Sequence, residues 1–473
     1  MKKIFVLFAF LAISFFNAEA QLTALVEQSP ICDYNVRPTN IAYWEYGGDE
    51  YGVYHTGENE TEWFKLVKFS NFYSGTPVSP YGYTELKKIP VHNDVTIVDI
   101  AVYHDYAVFC GWIKNGPGIY DTEGIIGVFD LTIMAAGGIP QIHYERITGS
   151  YRIDKVIAYK RLLYEKIVAI GEEAFPGYSL PNRSYFILEA DFDMSSANPN
   201  PPLSNAQKRG LFISYPYLET PSEILLTDNY LVIVGYATKF DALTIRRCDP
   251  DNVLSTVAMF QDMYYYPSVS HDVLSHTHST IHVSYDDYIN ISYLTNSFGS
   301  YFSTCIRTVD LRTMQIVASQ EMPLNNKSEP MDLIYMPTYK HLVLMQNMPF
   351  PTTTDSVTSC FVKVDPFAFS NYMSDVIYLD DDIYGTVTRN ETTGSEALAV
   401  SKDDRLFVFR ADYGLTFSTP NCPRKNSIAI RVIDNATINI FVWPDVLSNV
   451  PCSSTPDTQI PLNVLNSTIC ESH

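Results

Sequence analysis

The sequence predicts an all-β fold, a seven-bladed β-propeller of four-stranded antiparallel blades. Three observations carry the prediction. The apolar runs are short, cut by turn residues and too brief for helices. One motif recurs roughly every 60 residues along the chain. Its copies close on an aspartate, at Asp130, Asp191, Asp249, Asp310, Asp365 and Asp434. A small sheet cannot cover both of its faces alone, and radial repetition supplies the cover from its neighbours. A sandwich pair or a parallel β-helix would also show many short strands. A sandwich, however, keeps no constant motif, and a β-helix repeat is much shorter.

Ahead of the repeats, Lys2-Lys3, the apolar run Ile4 to Phe16 and Ala18-Glu19-Ala20 read as a signal peptide over residues 1–20, with the mature chain starting at Gln21. The apolar run is shorter than a bilayer requires, and no later segment is long and apolar enough to span one. A secreted protein with no membrane span is expected. Residues 21–39 hold one strand, Leu22 to Glu27, and Cys32. This segment is expected to close the ring by completing the last blade.

Residues 40–444 form the expected propeller. Its clearest copy runs from Glu223 to Asp249. Ile224-Leu225-Leu226 reads as a first strand, Thr227-Asp228-Asn229 as a polar turn, Leu231 to Val234 as a second strand ended by Gly235, and Leu243 to Arg247 as a third. The same order recurs with Asp99 to Gly111, Asp154 to Gly171, Asp332 to Met345 and Glu396 to Phe409 as the opening hairpins. A fifth copy is read with its first strand starting at Ile281, and a weaker first copy starts at Asn40. The closing aspartate stands where the third strand turns, and its carboxylate is expected to accept backbone N–H groups there. A fourth strand usually follows, as in Met314 to Ser319 and Thr437 to Val442. Residues 445–473 read as a Ser/Thr/Pro-rich tail carrying Cys452 and Cys470; a disulfide from either to Cys32 would latch the ring.

The copy ending Ser427-Ile-Ala-Ile-Arg-Val-Ile-Asp-Asn-Ala-Thr437 resembles the YVTN/lactonase-like type of seven-bladed repeat, and Cys305 to Thr313 is similar but looser. The resemblance covers the repeat units and no catalytic motif, so it implies a fold and not an activity. WD40, kelch and sialidase-box signatures are missing from the sequence.

Charge narrows the partners. The net charge is −21, and loss of the leader takes it to about −22, which repels nucleic acid and anionic membranes. Cations, amines or basic proteins are favoured instead. Eight cysteines, an even number with no C-x-x-C, point to disulfides rather than zinc. Sequons at Asn59, Asn182, Asn290, Asn326, Asn390, Asn435 and Asn466 offer glycan sites in a eukaryotic secretory pathway.

Aligning the copies puts an acid just before the first strand in five of them: Asp99, Asp154, Glu223, Asp332 and Glu396. Asn40 and Thr280 take that place in the other two. Converging carboxylates suit Ca²⁺, which takes six to eight oxygens, or an organic amine. A second candidate is the histidine group His271, His276, His278 and His282, in a loop entering the fifth copy. His276 and His278 share a face in an extended chain and could bind Zn²⁺ or Cu²⁺, or supply a base. Tyr264-Tyr265-Tyr266 offers rings for stacking on a sugar or amine. No G-x-S-x-G, H-E-x-x-H, P-loop or dinucleotide fingerprint occurs. The expectation is a monomeric extracellular binding module for a small molecule, glycan or basic protein at the channel rim. The alternative is a calcium-dependent hydrolase of lactonase or esterase type, with His276 or His278 as base.

Overall fold

The computed structural model describes residues 23–27, 41–58, 61–69, 83–91, 94–117, 121–161, 164–173, 185–192, 203–211, 219–237, 242–254, 271–281, 287–297, 301–322, 329–336, 341–349, 357–364, 376–379, 397–400, 405–413, 426–434, 439–441 and 459–461. Nearly all of these residues lie in antiparallel strands, and no sheet closes on itself.

After an N-terminal strand β1 (Thr23–Glu27), the strands fall into sheets in chain order. Sheet one is β2 (Ile41–Tyr46), β3 (Asp49–Glu58), β4 (Thr61–Phe69) and β5 (Tyr83–Pro90). Sheet two is β6 (Val95–Tyr103), β7 (Tyr106–Lys114), β8 (Thr122–Asp130) and β9 (His143–Ile147), with a short helix α1 (Leu131–Ala135) after β8. Sheet three is β10 (Ser150–Arg161), β11 (Tyr164–Glu173), β12 (Tyr185–Phe192) and β13 (Leu203–Leu211). Sheet four shows β14 (Glu219–Leu226), β15 (Leu231–Ala237) and β16 (Ala242–Cys248) among the described residues. Sheet five is β17 (His271–Ile281), β18 (Tyr288–Ser297), β19 (Tyr301–Asp310) and β20 (Gln315–Met322). Sheet six is β21 (Glu329–Met336), β22 (His341–Pro349), β23 (Val357–Val364) and β24 (Val376–Leu379). Sheet seven joins β25 (Ala397–Val400), β26 (Arg405–Tyr413) and β27 (Asn426–Asp434).

The fourth place of sheet seven belongs to β1, which runs antiparallel to β27 with Thr23 opposite Asp434 and Glu27 opposite Arg431. The stretch expected to follow Asp434 as a fourth strand lies elsewhere. Its β28 (Asn439–Phe441) pairs with β29 (Gln459–Pro461), which comes from the segment read as a tail. β17 also departs from expectation, ending on Ile281 instead of starting there.

Successive sheets stack face to face. Along β7, Ala107 and Phe109 enter a core with Phe64 and Leu66 of sheet one, whereas Val108 and Cys110 enter the next core with Ile167 and Phe186 of sheet three. Val168 and Ile170 then meet Leu231 and Ile233, and Val232 and Val234 meet Ile289 and Ile291. Successive side chains on a strand point to opposite faces, so a strand apolar at every position is buried on both. Phe64 packs on Phe109 and Phe129 with ring centroids 4.9 and 4.6 Å apart, joining sheets one and two. The first strands touch in succession, β2 with β6, β6 with β10, β10 with β14, β14 with β17, β17 with β21 and β21 with β25, and β25 touches β2.

Three of the closing aspartates cap their turns, and Asp365 lies outside the described residues. Asp130 Oδ1 accepts from the Thr132 N–H at 2.8 Å, Asp249 Oδ1 from the Asp251 N–H at 2.9 Å, and Asp310 Oδ1 from the Arg312 N–H at 2.9 Å. Asp191 instead accepts from the Asn205 side-chain amide at 2.9 Å. Among the described residues no helix is long and apolar enough to cross a membrane. The sequon at Asn290 is not presented to solvent: the residue is fully buried in β18 and its amide donates to Thr308 Oγ1 at 2.9 Å.

Candidate functional site

The site is set by a β-bulge repeated in the first strands. The ladder shifts between Ile97 and Asp99 in β6, Ile153 and Lys155 in β10, Pro221 and Glu223 in β14, Val273 and Ser275 in β17, and Pro330 and Asp332 in β21. An extra residue bends the strand and re-aims the side chain that follows. The residues after the shift are therefore equivalent: Asp99, Lys155, Glu223, Ser275 and Asp332.

Room for the bulge comes from the facing strand. Gly111, Gly171 and Gly235 lie opposite Ile97, Ile153 and Pro221. A Cβ on Gly111 would stand 2.0 Å from the Thr96 carbonyl oxygen, and one on Gly171 would stand 2.8 Å from the Arg152 carbonyl oxygen.

Lys155 Nζ lies 3.2 Å from Glu223 Oε1, bridging sheets three and four. Asp99 Oδ2 accepts from the Val156 N–H at 2.9 Å, bridging sheets two and three. Asp99 is 3% exposed, and its Oδ1 meets no donor at hydrogen-bonding geometry; the neighbouring Ile100 N–H adds to the local field without closing such a bond. Lys155 and Glu223 keep 27% and 20% of their side-chain surface open, yet enough protein packs around them for burial to disfavour the charge on each. The two groups thus combine depth with residual exposure.

Electrostatics bind the group together. Burial, with Asp99 and Asp332 adding to it, pushes the Glu223 carboxyl up to about 7 against the pull of Lys155. Burial also raises Asp99, opposed by Lys155, the Val156 and Ile100 N–H groups and His55. Burial works against the Lys155 ammonium, but Glu223, Asp99 and Asp332 outweigh it and hold its pKa well above the ordinary lysine value. His55, buried on β3, lies 3.5 Å from Glu62 through Nδ1 and completes the surroundings of Asp99.

Of the acids aligned in sequence, Asp99, Glu223 and Asp332 come together. Asp154 does not: it is the bulged residue, one place before Lys155, and its Oδ1 is held by Arg152 Nε at 2.8 Å. Glu396 lies outside the described residues. His276 and His278 stand on β17, not in a loop, with His278 opposite Ser292; His282 and Tyr264 to Tyr266 lie outside the described residues. An ammonium occupies the position that the pattern assigned to a carboxylate, and a fixed cation opposes a divalent ion among the same oxygens. Among the described residues no group of three or more His, Cys, Asp or Glu is placed to hold a metal ion.

Cys110 is a buried free thiol directly opposite Asp99, and Cys248 and Cys305 are buried as well. Burial, then Asp99 and Asp154, push the Cys110 thiol well up, which keeps it protonated and unreactive. Cys32, Cys422, Cys452 and Cys470 lie outside the described residues.

No family model matches this chain, and no curated protein matches it. Among solved structures, it is similar to a puromycin hydrolase S511A mutant complexed with PGG, at 9% identity and a TM-score of 0.43, covering 84% of this chain and 52% of that one. A second puromycin hydrolase structure gives 11% identity, a TM-score of 0.39, and coverage of 84% and 62%. A Trypanosoma rangeli sialidase mutant displaying trans-sialidase activity gives 10% identity, a TM-score of 0.35, and coverage of 87% and 58%. The chain thus spans between 52% and 62% of the length of these proteins. Likeness at this level carries no argument for fold or activity.

Proposed function

We propose that this protein is a secreted, acidic seven-bladed β-propeller that binds a small ligand at its hub. One observation carries the reading: the seven first strands of the described sheets touch in sequence, β25 returns to β2, and Asp99, Lys155, Glu223 and Asp332 share one register position around that ring. Charged groups at such depth need partners, and the residual exposure of Lys155 and Glu223 gives a ligand access to them. Rigid first strands hold the group, as a preorganised binding site requires. Export rests on the N-terminal leader, and N-terminal sequencing of protein recovered from the medium is expected to begin at Gln21.

The test is a melting-temperature screen against small molecules and glycans, repeated on an Asp99→Asn, Glu223→Gln double variant. Hits that vanish in the folded variant support the hub as the site. Hits that persist unchanged refute it.

A second reading follows from Glu223. A carboxyl near 7 beside an ammonium can both take and give a proton at neutral pH, as general acid–base catalysis requires. A metal-independent hydrolase working through Glu223 predicts turnover of esters or lactones that Glu223→Gln abolishes. Absence of turnover across such a panel leaves binding as the function.

A further inference from the structure

Resting on the hub reading above, we propose that the hub's ligand carries a protonated primary amine that docks on Asp99 Oδ1. Three acidic side chains, Asp99, Glu223 and Asp332, share this region with one ammonium and with His55, so acidic groups outnumber basic ones. Lys155 is committed to Glu223 at 3.2 Å. Asp99 Oδ2 is committed to the Val156 N–H. Asp99 Oδ1 is left, buried and without a donor. Burying such an atom unpaired is unfavourable, and most buried polar atoms in folded proteins find a partner.

Ligand classes differ in how they meet that oxygen. A primary ammonium brings three N–H donors and one charge, enough to satisfy Oδ1 and reduce the excess. A quaternary ammonium brings charge without donors. A neutral sugar brings donors without charge. A divalent ion needs six to eight oxygens, and Lys155 already stands among the few present. An anion is repelled by the surplus carboxylates. Solvent reaches Lys155 and Glu223, which keep 27% and 20% of their side-chain surface exposed.

The experiment is calorimetric titration of the full mature chain at pH 7 with butylamine, tetramethylammonium chloride, calcium chloride and glucose in turn. Butylamine is expected to bind at least about tenfold more tightly than tetramethylammonium, whose charge lacks N–H donors. Asp99→Asn should weaken butylamine at least about tenfold, because an amide oxygen replaces the charged acceptor. Lys155→Met should tighten it by a similar factor, because the competing internal cation is gone. The two variants shift affinity in opposite directions, which a general loss of structure cannot do, and the Lys155 variant alone tests the idea if Asp99→Asn fails to fold. Butylamine binding unchanged by both substitutions overturns the inference. Hub-dependent binding of calcium or glucose in place of butylamine overturns it too, while leaving the hub reading intact. If no probe binds at tens of millimolar, the amine assignment fails and the hub reading rests on the wider ligand screen.

Discussion

Lys155 shows how one residue can reassign a site. By letter the pattern offered Asp154, and by register the ring holds its neighbour, so an expected carboxylate is an ammonium. Glu223 carries the consequence into pH behaviour. Its folded value of about 7 exceeds the ordinary 4.5, so the folded chain binds the extra proton more tightly than the unfolded chain does. Its contribution to stability is complete below 4.5 and is lost as the pH rises through 7. Asp99 is raised as well and acts in the same direction. Lys155 keeps its contribution until strongly alkaline pH. Between pH 5 and pH 8 the wild type should therefore lose on the order of 2 kcal/mol relative to Glu223→Gln, which cannot ionise. Urea denaturation of both proteins at several pH values checks this; parallel profiles would refute it. Gly111 sets a second residue-scale limit. Its absent side chain leaves space for the bulged backbone, since a Cβ would lie 2.0 Å from Thr96 O. Gly111→Ala should cost about 1–3 kcal/mol by overpacking, read as a lower urea midpoint. A change within about 0.5 kcal/mol would show that the bulge is free to move.

At the scale of the element, the recurring turn is the unit that the chain copies. Asp310 closes β19 and holds its turn through three contacts with Arg312: the backbone N–H at 2.9 Å, Nε at 3.1 Å and Nη2 at 2.9 Å. Those bonds to Arg312 lower the Asp310 carboxyl below the ordinary aspartate value. Its contribution is present above that ordinary value and is lost as the pH falls through the folded one. Asp310→Ala should cost about 1 kcal/mol at neutral pH, with Asp310→Asn retaining part of it because an amide oxygen still accepts the backbone N–H. Denaturant midpoints for the two variants measure the difference, and equal losses would assign the effect to charge alone. Asp130 performs the same task for α1, accepting from the Thr132 and Ile133 N–H groups. The same turn chemistry thus serves a helix start in one sheet and a strand-to-strand turn in another.

For the whole molecule, the stacked faces decide the shape. Each described core from sheet one to sheet five takes residues from two successive sheets, so no sheet in that run is stable without its neighbours. The first strands carry this succession back to its start, with β25 against β2. Averaged electron-microscopy views along the axis should show seven spokes around a central channel. Six or eight spokes, or two flat layers, would contradict the proposed architecture. β1 in sheet seven ties the beginning of the chain to its last complete hairpin, so closure joins segments far apart in sequence.

Local chemistry alone made much of this legible in the sequence. Short β-rich runs, turn residues and recurring aspartates marked the sheets, because strand burial and turn capping depend on neighbours only a few residues away. Asp99, Glu223 and Asp332 were visible for the same reason. Lys155 was hidden by register: the β10–β11 hairpin is two pairs longer than the β6–β7 hairpin and three longer than the β14–β15 hairpin, so counting from Gly171 instead of matching acids would have found it. His55 had no such signal, since it reaches Asp99 from another sheet. The place of β1 beside β27, the pairing of β28 with β29 and the burial of Asn290 likewise depend on contacts between distant segments. Sequence by itself determined the strands and their repeat. Only the tertiary structure decided which side chains share that register position, because a one-residue bulge reverses the direction of every side chain beyond it.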